Sequence, residues 1–262
     1  MSNITNLSSV PNLNIHYFNL EFREKNNLPF FASFPFYFDG KPLTEISCGI
    51  SSRFSGDMKY SEQNENRLNL FNELGLDPKS VYGLKQIHSH TVLTVDKSNP
   101  SSQQEGDGLI TQDGTIALSV TVADCLPVYL FDTKTKAFAL LHSGWKGTGI
   151  VLKAINLMEK QYGTKPKNVA AVLGPCIDSC CYKVDTERAT TFEKQFGPDS
   201  VRRTGNETFL DLKTANIKLL EKAGVKNISV CKDCTFKDER LGSYRREGQN
   251  LTHMLALLFW PI

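Results

Sequence analysis

The chain has 262 residues, of which 40% are hydrophobic, 10% aromatic and 22% charged, and this ordinary globular composition excludes intrinsic disorder and collagen-like repeats. Lysine and arginine number 30 against 28 acidic residues, a net charge of +2, so no basic surplus exists to neutralise a run of nucleic-acid phosphates. Neither a transmembrane-length apolar window nor a secretion signal over residues 1–14 is found, which predicts a cytoplasmic protein with no nucleic-acid or membrane partner.

The N-terminal part of the chain is rich in phenylalanine that alternates with other residue types, a pattern typical of strands. No linker or repeat interrupts the sequence, so we expect a single domain over residues 1–262, with strands from residues 1–45 packed on it. A surface helix is predicted within residues 60–74, ending at Gly75. Strands are expected at 81–88 and 91–96, with His88 ending the first.

A β-hairpin is predicted in the middle of the chain. Residues 116–122 read as a strand, and two further apolar runs, 126–131 and 137–141, flank the turn-like residues 132–135. Cys125 and His142 lie at equal sequence distances from the centre of that turn. We therefore expect them opposite each other at one end of the hairpin, with Cβ atoms about 4.5–5.5 Å apart.

A glycine-rich segment, Ser-Gly-Trp-Lys-Gly-Thr-Gly, follows His142 and leads into apolar residues at helical spacing from Ile150. Gly147 or Thr148 is the expected N-cap. The positive end of the helix dipole would then lie close to Cys125 and His142, where an anion could bind. The glycine spacing matches neither the nucleotide triphosphatase loop nor the dinucleotide fingerprint.

The remaining sequence alternates between helical and strand patterns. Strands are predicted at 169–173, 226–231 and 254–260, and helices at 186–196 and 214–223, the second ending at Gly224. The whole chain is therefore predicted to be mixed α and β.

Seven cysteines in a chain of this size indicate reduced thiols rather than disulfide staples. Cys125 is a candidate metal thiolate or nucleophile, although buried cysteines often only pack. If His88 converges with Cys125 and His142, two imidazoles and one thiolate with an open fourth position make a catalytic zinc arrangement. Copper could also be held by such ligands.

Two other groups of thiols offer alternatives. Cys231 and Cys234 form a C-x-x-C pair, and Cys176, Cys180 and Cys181 could complete a four-thiolate structural zinc site with them. A redox dithiol is a second alternative, although no helix start follows Cys231.

Two arginine-bearing segments are candidate anion-binding elements. They are residues 51–56, which contain Arg53, and residues 243–247, which contain Tyr244 and Arg245. A guanidinium beside hydroxyl groups suits phosphate, ribose or carboxylate recognition, whereas most exposed arginines only contact solvent.

Several strings occur in an order that resembles one known family. They are Lys-Gln-Ile-His at 85–88, Gly-Asp-Gly-Leu-Ile-Thr at 106–111, Thr-Val-Ala-Asp-Cys-Leu-Pro-Val at 121–128, Leu-His-Ser-Gly-Trp-Lys-Gly-Thr at 141–148, Leu-Gly-Pro-Cys-Ile at 173–177, Cys-Tyr-Lys-Val at 181–184 and Ser-Tyr-Arg-Arg-Glu-Gly at 243–248. The chain resembles the laccase-domain or polyphenol oxidase family over residues 46–260. That family is also described as a purine nucleoside phosphorylase family and includes the bacterial peptidoglycan editing factor.

The resemblance implies a single α/β domain, layered α/β/β/α, with a zinc held by His88, Cys125 and His142 as the catalytic centre. It also implies phosphorolysis of adenosine, inosine, guanosine and methylthioadenosine, together with adenosine deamination. Purine nucleosides and phosphate would be the partners, bound by Arg53, Tyr244, Arg245, Gly147 and Thr148. Asp124 is expected either to fix its turn or to orient a ligand imidazole.

Three alternatives to the nucleoside enzyme stay open at this point. The first is a cysteine-type amidase in peptidoglycan precursor editing, with Cys125 as nucleophile and His142 as base. The second is a copper-dependent polyphenol oxidase, which the five histidines of the chain hardly supply with enough ligands. The third is a non-enzymatic partner protein with structural cysteines.

Overall fold

The computed structural model describes residues 13–61, 63–98 and 104–261. Part of the predicted N-terminal strand region, residues 1–12, lies outside these ranges. The strands are β1 (Asn14–Phe18), β2 (Phe22–Lys25), β3 (Leu28–Phe34), β4 (Tyr37–Phe38), β5 (Lys41–Pro42), β6 (Ser47–Ser51), β7 (Val81–Tyr82), β8 (Val92–Thr94), β9 (Gly108–Thr111), β10 (Ala117–Val122), β11 (Leu126–Asp132), β12 (Phe138–Ser143), β13 (Val169–Leu173), β14 (Lys183–Val184), β15 (Val201–Thr204), β16 (Glu207–Leu210), β17 (Asn227–Cys231) and β18 (Met254–Phe259). The helices are α1 (Glu65–Glu73), α2 (Ile150–Tyr162), α3 (Thr186–Phe196), α4 (Leu212–Ala223) and α5 (Tyr244–Glu247).

Two large mixed sheets organise these elements. The first has seven strands in the order β1-β17-β13-β11-β12-β9-β8, and the second has six in the order β2-β3-β6-β18-β10-β7. Strands β1 and β17 pair in parallel although they come from opposite ends of the chain. Smaller sheets are formed by β14-β16-β15 and by β4-β5.

The layers follow from the alternation of side chains along the strands. On the seven-stranded sheet, Val128 and Leu141 face α2, α3 and α4, whereas Tyr129 and Leu140 face the six-stranded sheet. The outer face of the six-stranded sheet is covered by α1 through Phe71. The order is therefore helices, sheet, sheet, helix, and the mixed α/β fold in an α/β/β/α arrangement is confirmed.

Capping residues explain where the helices begin and end. The side chain of Asp185 accepts the N–H of Arg188 at the start of α3, and that of Asp211 accepts the N–H of Thr214 at the start of α4. Gly224 ends α4 with a φ of 92°, as predicted. The Asn64 side chain accepts the N–H groups of Asn66 and Arg67, which places the start of α1 inside the predicted segment.

The register of the central hairpin differs from the prediction by two residues. Leu126 pairs with Ser143 and Pro127 with His142, so His142 is not opposite Cys125. The turn has the predicted length but is centred one residue later, since the N–H of Asp132 donates to the carbonyl of Ala137 and Lys136, with a φ of 65°, belongs to the turn. A shift of one residue in the turn centre moves the pairing of β12 against β11 by two residues.

Within the described ranges, no helix has both the length and the apolar character that crossing a membrane requires.

Candidate functional site

Three predicted metal ligands converge at one end of the seven-stranded sheet. The ligand atoms of His88, Cys125 and His142 all lie within 4.8 Å of one another. The two imidazole rings meet edge to face, with centroids 4.9 Å apart. His142 is buried, Cys125 is partly exposed and His88 is exposed, so the group opens to solvent on one side.

The buried carboxylate of Asp107 holds two of these residues in place. Its Oδ1 lies 2.9 Å from Nδ1 of His142 and accepts the backbone N–H of His88 at 3.0 Å. Its Oδ2 accepts both the N–H and the hydroxyl of Ser89, at 2.6 and 2.8 Å. The arrangement keeps the proton of His142 on Nδ1 and leaves Nε2 free to act as a ligand.

Asp107 was not identified from the sequence, although it lies in the Gly-Asp-Gly string at residues 106–108. The sequence feature that could have identified it is an acidic residue directly before a buried strand, because buried carboxylates are rare unless they are paired. Of the two roles expected for Asp124, the orientation of a ligand imidazole falls to Asp107, which makes that contact instead.

The charges at the site reinforce one another. Burial would raise the pKa of Cys125, but the charge and hydrogen bond of His142 outweigh it and lower the pKa to about 6. Burial would lower the pKa of His142, but Cys125 and Asp107 raise it to about 9. The pKa of Asp107 falls to about 2 because the hydrogen bonds from His142 and Ser89 outweigh its burial. The metal-free site therefore holds a thiolate beside an imidazolium near neutral pH.

His88 does not end a strand as predicted. Strand β7 stops at Tyr82, and His88 has a φ of 58°, a left-handed conformation that is uncommon outside glycine. The loop leaves the sheet because the N–H groups of His88 and Ser89 donate to Asp107 rather than to a neighbouring strand. The position of His88 thus depends on a side chain distant in the sequence.

Gly144 is required by the close approach of Cys125. A Cβ atom at Gly144 would lie 2.8 Å from Sγ of Cys125 and 3.7 Å from Cδ2 of His88. Since Leu126 pairs with Ser143, Gly144 occupies the position across from Cys125 that was predicted for His142. The missing side chain makes room for the thiol.

Asp124 fixes the short helix α5 beside Cys125. Its Oδ1 accepts the Thr235 hydroxyl at 2.6 Å, and its Oδ2 accepts the backbone N–H of Arg245 at 2.7 Å. Asp124 has a φ of 80°, which turns the chain between β10 and β11. The predicted substrate residues Tyr244 and Arg245 are thereby tied to the loop that carries Cys125, and the Tyr244 side chain is exposed.

A group of cationic and aromatic residues, the cationic wall, lies near Cys125, and of its four residues Trp145, Tyr182, Arg188 and Arg245 only Arg245 was identified from the sequence as a site residue. Burial raises the pKa of Tyr182, and the Cys125 charge raises it further, whereas Arg188 and Arg245 act in the opposite direction. The Arg245 guanidinium lies 5.4 Å from the Tyr182 ring centroid, and that of Arg188 lies 4.6 Å from the ring of Trp145. The wall therefore combines two guanidinium groups with two aromatic rings.

The predicted anion site at the start of α2 is altered in two respects. The N-cap is Gly149, with a φ of 110°, rather than Gly147 or Thr148. The buried hydroxyl of Thr148 donates to the carbonyl of Gly144 at 2.8 Å, so this proton is not available for a hydrogen bond to an anion. Nε2 of His90 lies 3.0 Å from the Thr148 carbonyl oxygen, which places an imidazole against this helix end.

Arg53 is connected to the same region through α5. Its Nη1 lies 3.1 Å from Oε1 of Glu247, and its backbone N–H donates to the carbonyl of Arg240. Arg53 thus contacts the helix that carries Tyr244 and Arg245.

The predicted four-thiolate group forms only in part. Cys231 lies in the core between the two large sheets, and Cys176 is buried against α4 and its neighbours. The sulfur atoms of Cys180, Cys181 and Cys234 do gather within 4.8 Å. The C-x-x-C pair is separated because Cys231 ends β17, whereas Cys234 lies in the loop beyond it.

The chain is similar to known proteins in both sequence and fold. Residues 45–260 match the family model described as multi-copper polyphenol oxidoreductase laccase. The chain is 37% identical over 206 residues to a Corynebacterium glutamicum protein named purine nucleoside phosphorylase, an alignment covering 77% of this chain and 82% of the relative. A Clostridium acetobutylicum protein with the same name is 33% identical over 207 residues, covering 77% and 85%. The crystal structure of YlmD from Geobacillus stearothermophilus has the same fold, with a TM-score of 0.80, 24% identity, and coverage of 92% of this chain and 99% of that one.

Proposed function

The chain belongs to the family described as multi-copper polyphenol oxidoreductase laccase, and from this membership and the site we propose that it is a zinc-dependent purine nucleoside phosphorylase. Its substrates are adenosine, inosine, guanosine and methylthioadenosine, and it also deaminates adenosine. The convergence of His88, Cys125 and His142 on one point carries the proposal. The name of the relatives supports the reaction class.

The donor set suits zinc. Zinc bonds of about 2.0–2.3 Å to nitrogen and sulfur place tetrahedral ligands about 3.3–3.8 Å apart, and the three donor atoms lie within 4.8 Å of one another. Asp107 holds a proton on Nδ1 of His142, so Nε2 is the nitrogen that would give up its proton to a metal and act as the ligand. A zinc ion held by His88, Cys125 and His142 would supply Lewis-acid chemistry at an open coordination position.

The other histidines argue against a multi-copper oxidase. Nδ1 of His253 lies 2.8 Å from Asp57, His90 contacts Thr148, and His16 stacks on Tyr37 with ring centroids 3.8 Å apart. All five histidines are among the described residues, and only His88 and His142 enter a metal-type group there. A multi-copper centre needs more imidazole ligands than this group offers.

The cationic wall provides the phosphate site in this proposal. The charges of Arg245, Arg188 and Cys125 all act on Tyr182, and a guanidinium pairs with phosphate oxygens through two parallel hydrogen bonds. The exposed ring of Tyr244 is free to cover a purine base. Arg53 supports this wall through its ion pair with Glu247.

The reaction assigned to the site is a displacement at the ribose. A phosphate oxygen attacks C1′, the bond from C1′ to the purine nitrogen breaks, and the purine leaves with the bonding electrons and takes up a proton. Arg188 and Arg245 hold the phosphate beside C1′, which contributes mainly through positioning. Ribose 1-phosphate and the free base are the products.

An assay of the purified protein tests the proposal. Inosine with phosphate should yield hypoxanthine and ribose 1-phosphate, with no release when phosphate is omitted, and adenosine alone should release ammonia. Cys125→Ser should abolish both activities. Cys48→Ser is the matched control, because the buried Cys48 thiol donates to the Phe34 carbonyl at 3.0 Å and a serine hydroxyl keeps that bond. A zinc-loaded protein without base release from any of the four nucleosides would overturn the proposal.

A second candidate function rests on the chain of Cys125, His142 and Asp107. Thiol, imidazole and carboxylate in contact form the arrangement of a cysteine hydrolase. Such an amidase would act in peptidoglycan precursor editing without a metal. Activity on a peptide amide that survives chelation and is lost on alkylation of Cys125 would support it, whereas activity lost on chelation and restored by zinc would exclude it.

A further inference from the structure

A second group of potential metal ligands lies outside the candidate active site. The sulfur atoms of Cys180, Cys181 and Cys234 all lie within 4.8 Å of one another, and those of Cys180 and Cys181 are 3.3 Å apart. Cys180 and Cys181 are half-buried, whereas Cys234 is buried. The group shares no residue with His88, Cys125 and His142.

Main-chain hydrogen bonds hold the two loops that carry these thiols. Cys176 and Cys234 form an isolated parallel bridge, in which the N–H of Thr235 donates to the carbonyl of Cys176 at 3.0 Å. The N–H of Cys181 donates to the carbonyl of Asp178 at 2.8 Å, which closes a turn around Cys180. The main chain of the two loops is thus held in place without a ligand.

A backbone N–H donor and an ammonium group lie beside these sulfur atoms. The backbone N–H of Asp178 donates to Sγ of Cys234 at 3.4 Å, and hydrogen bonds of this kind stabilise sulfur ligands in metal sites. The Lys237 ammonium group interacts with the charge of Cys180. Three thiolates with one monovalent cation carry a charge of −2, and Lys237 offsets part of it.

Packing and disulfide formation account poorly for this arrangement. A packing cysteine such as Cys48 is fully enclosed and bonded to a carbonyl, whereas Cys180 and Cys181 reach solvent. Adjacent residues have Cα atoms about 3.8 Å apart, below the usual disulfide range of about 4.4–6.8 Å. Any single disulfide would also leave the third thiol unpaired.

We propose that Cys180, Cys181 and Cys234 form a second metal site, a three-thiolate site for a soft monovalent cation of the Cu(I) type. Thiolates select soft metals such as Cu(I) and zinc. Structural zinc sites require four ligands, and among the described residues no fourth cysteine, histidine or carboxylate shares the mutual spacing of this group. Three sulfur ligands satisfy Cu(I).

An anaerobic titration of the metal-free protein tests the site. Cu(I) is supplied as its complex with a coloured chelator, and its transfer to protein is read from the loss of colour. The Cys125→Ser variant, in which the other metal group is disabled, should still take up one equivalent of Cu(I) from the chelator complex. Adding Cys180→Ser and Cys181→Ser to that variant should lower Cu(I) affinity at least 100-fold. Equal withdrawal by both variants would overturn the proposal.

Two measurements on protein that keeps Cys180, Cys181 and Cys234 make the test independent of how the other serine variants fold. In the Cys125→Ser protein, X-ray absorption of one bound Cu(I) should show about three sulfur neighbours, and Cu(I) should protect Cys180, Cys181 and Cys234 from alkylation mapped by peptide mass spectrometry. Nitrogen-dominated coordination or unprotected thiols would contradict the site.

A parallel titration with zinc tests the choice of metal. Zinc should bind more weakly than Cu(I), and tighter binding of zinc would overturn that choice.

Discussion

Oδ1 of Asp107 lies 2.9 Å from Nδ1 of His142, on a carboxylate with no exposed surface. The same carboxylate accepts the backbone N–H groups of His88 and Ser89. One buried side chain therefore sets the ring orientation of one candidate ligand and the backbone position of another.

Replacing Asp107 should weaken metal binding without removing a ligand. Because an asparagine side chain carries no charge and holds the His142 ring less firmly, Asp107→Asn should lower zinc affinity by about 10- to 100-fold. Competition with a zinc chelator measures the effect. Asp132→Asn is the control, since Asp132 is also buried but accepts the N–H of Lys134 in the hairpin turn. Equal zinc affinities in Asp107→Asn and the wild type would contradict the assigned role.

The reactivity of Cys125 in metal-free protein should depend on pH with a midpoint near 6, because its pKa lies at about 6 and only the thiolate is alkylated. The rate should rise as pH increases through this value and then level off. Iodoacetamide labelling followed by mass spectrometry measures it.

His142→Ala serves as the control for this pH profile. The imidazolium is the largest influence that lowers the pKa of Cys125, so the midpoint should move upward towards the ordinary thiol range of about 8.5. An unchanged midpoint in this variant would show that His142 does not activate the thiol.

A single methyl group at Gly144 should disrupt the site. The added Cβ would lie 2.8 Å from Sγ of Cys125, so the thiol must move, and Gly144→Ala should reduce zinc affinity at least tenfold. Gly114→Ala is the matched control, because its Cβ would come no closer than 3.4 Å to the Trp260 ring. Retention of wild-type zinc affinity in Gly144→Ala would mean that the ligand set tolerates this displacement.

The ion pair of Lys213 and Asp178 should contribute strongly to stability. Its atoms are 2.6 Å apart and both side chains are largely buried, so Lys213→Ala leaves a carboxylate without its partner and should cost about 3–5 kcal/mol of unfolding free energy. Lys218 lies on the same helix as Lys213 and forms an exposed ion pair with Asp199. The matched variant Lys218→Ala breaks that pair and should cost about 0–1 kcal/mol of unfolding free energy. Urea unfolding measures the stability of both variants. Similar losses of unfolding free energy in Lys213→Ala and Lys218→Ala would contradict the larger contribution assigned to the buried pair.

The helices and central strands were predictable because local patterns determine them. The range of α3 agrees with the sequence prediction, since Asp185 caps its first turn and the apolar spacing is regular. The hairpin register was not predictable, because it depends on the left-handed conformation of Lys136 and a bond from Asp132 to Ala137. A shift of the turn centre by one residue is enough to move Cys125 and His142 out of direct opposition.

The site shows the same division between local and distant causes. Cys125 and His142 were identified because each lies beside a recognisable strand, whereas the position of His88 depends on Asp107 nineteen residues away. Arg245 was identified from the sequence, but its association with Arg188 was not, because the two arginines come from separate helices, α3 and α5. Their proximity to Tyr182 follows from the tertiary arrangement and from no local pattern.

The pairing of β1 with β17 joins residues 14–18 to residues 227–231. Strand pairings between such distant segments close long loops and form slowly during folding. Strand β17 leads into the loop of Thr235, whose hydroxyl holds Asp124 beside Cys125. Loss of this pairing would leave one edge of β17 open, and the loop that holds Asp124 beside Cys125 would then rest on a strand supported from one side only.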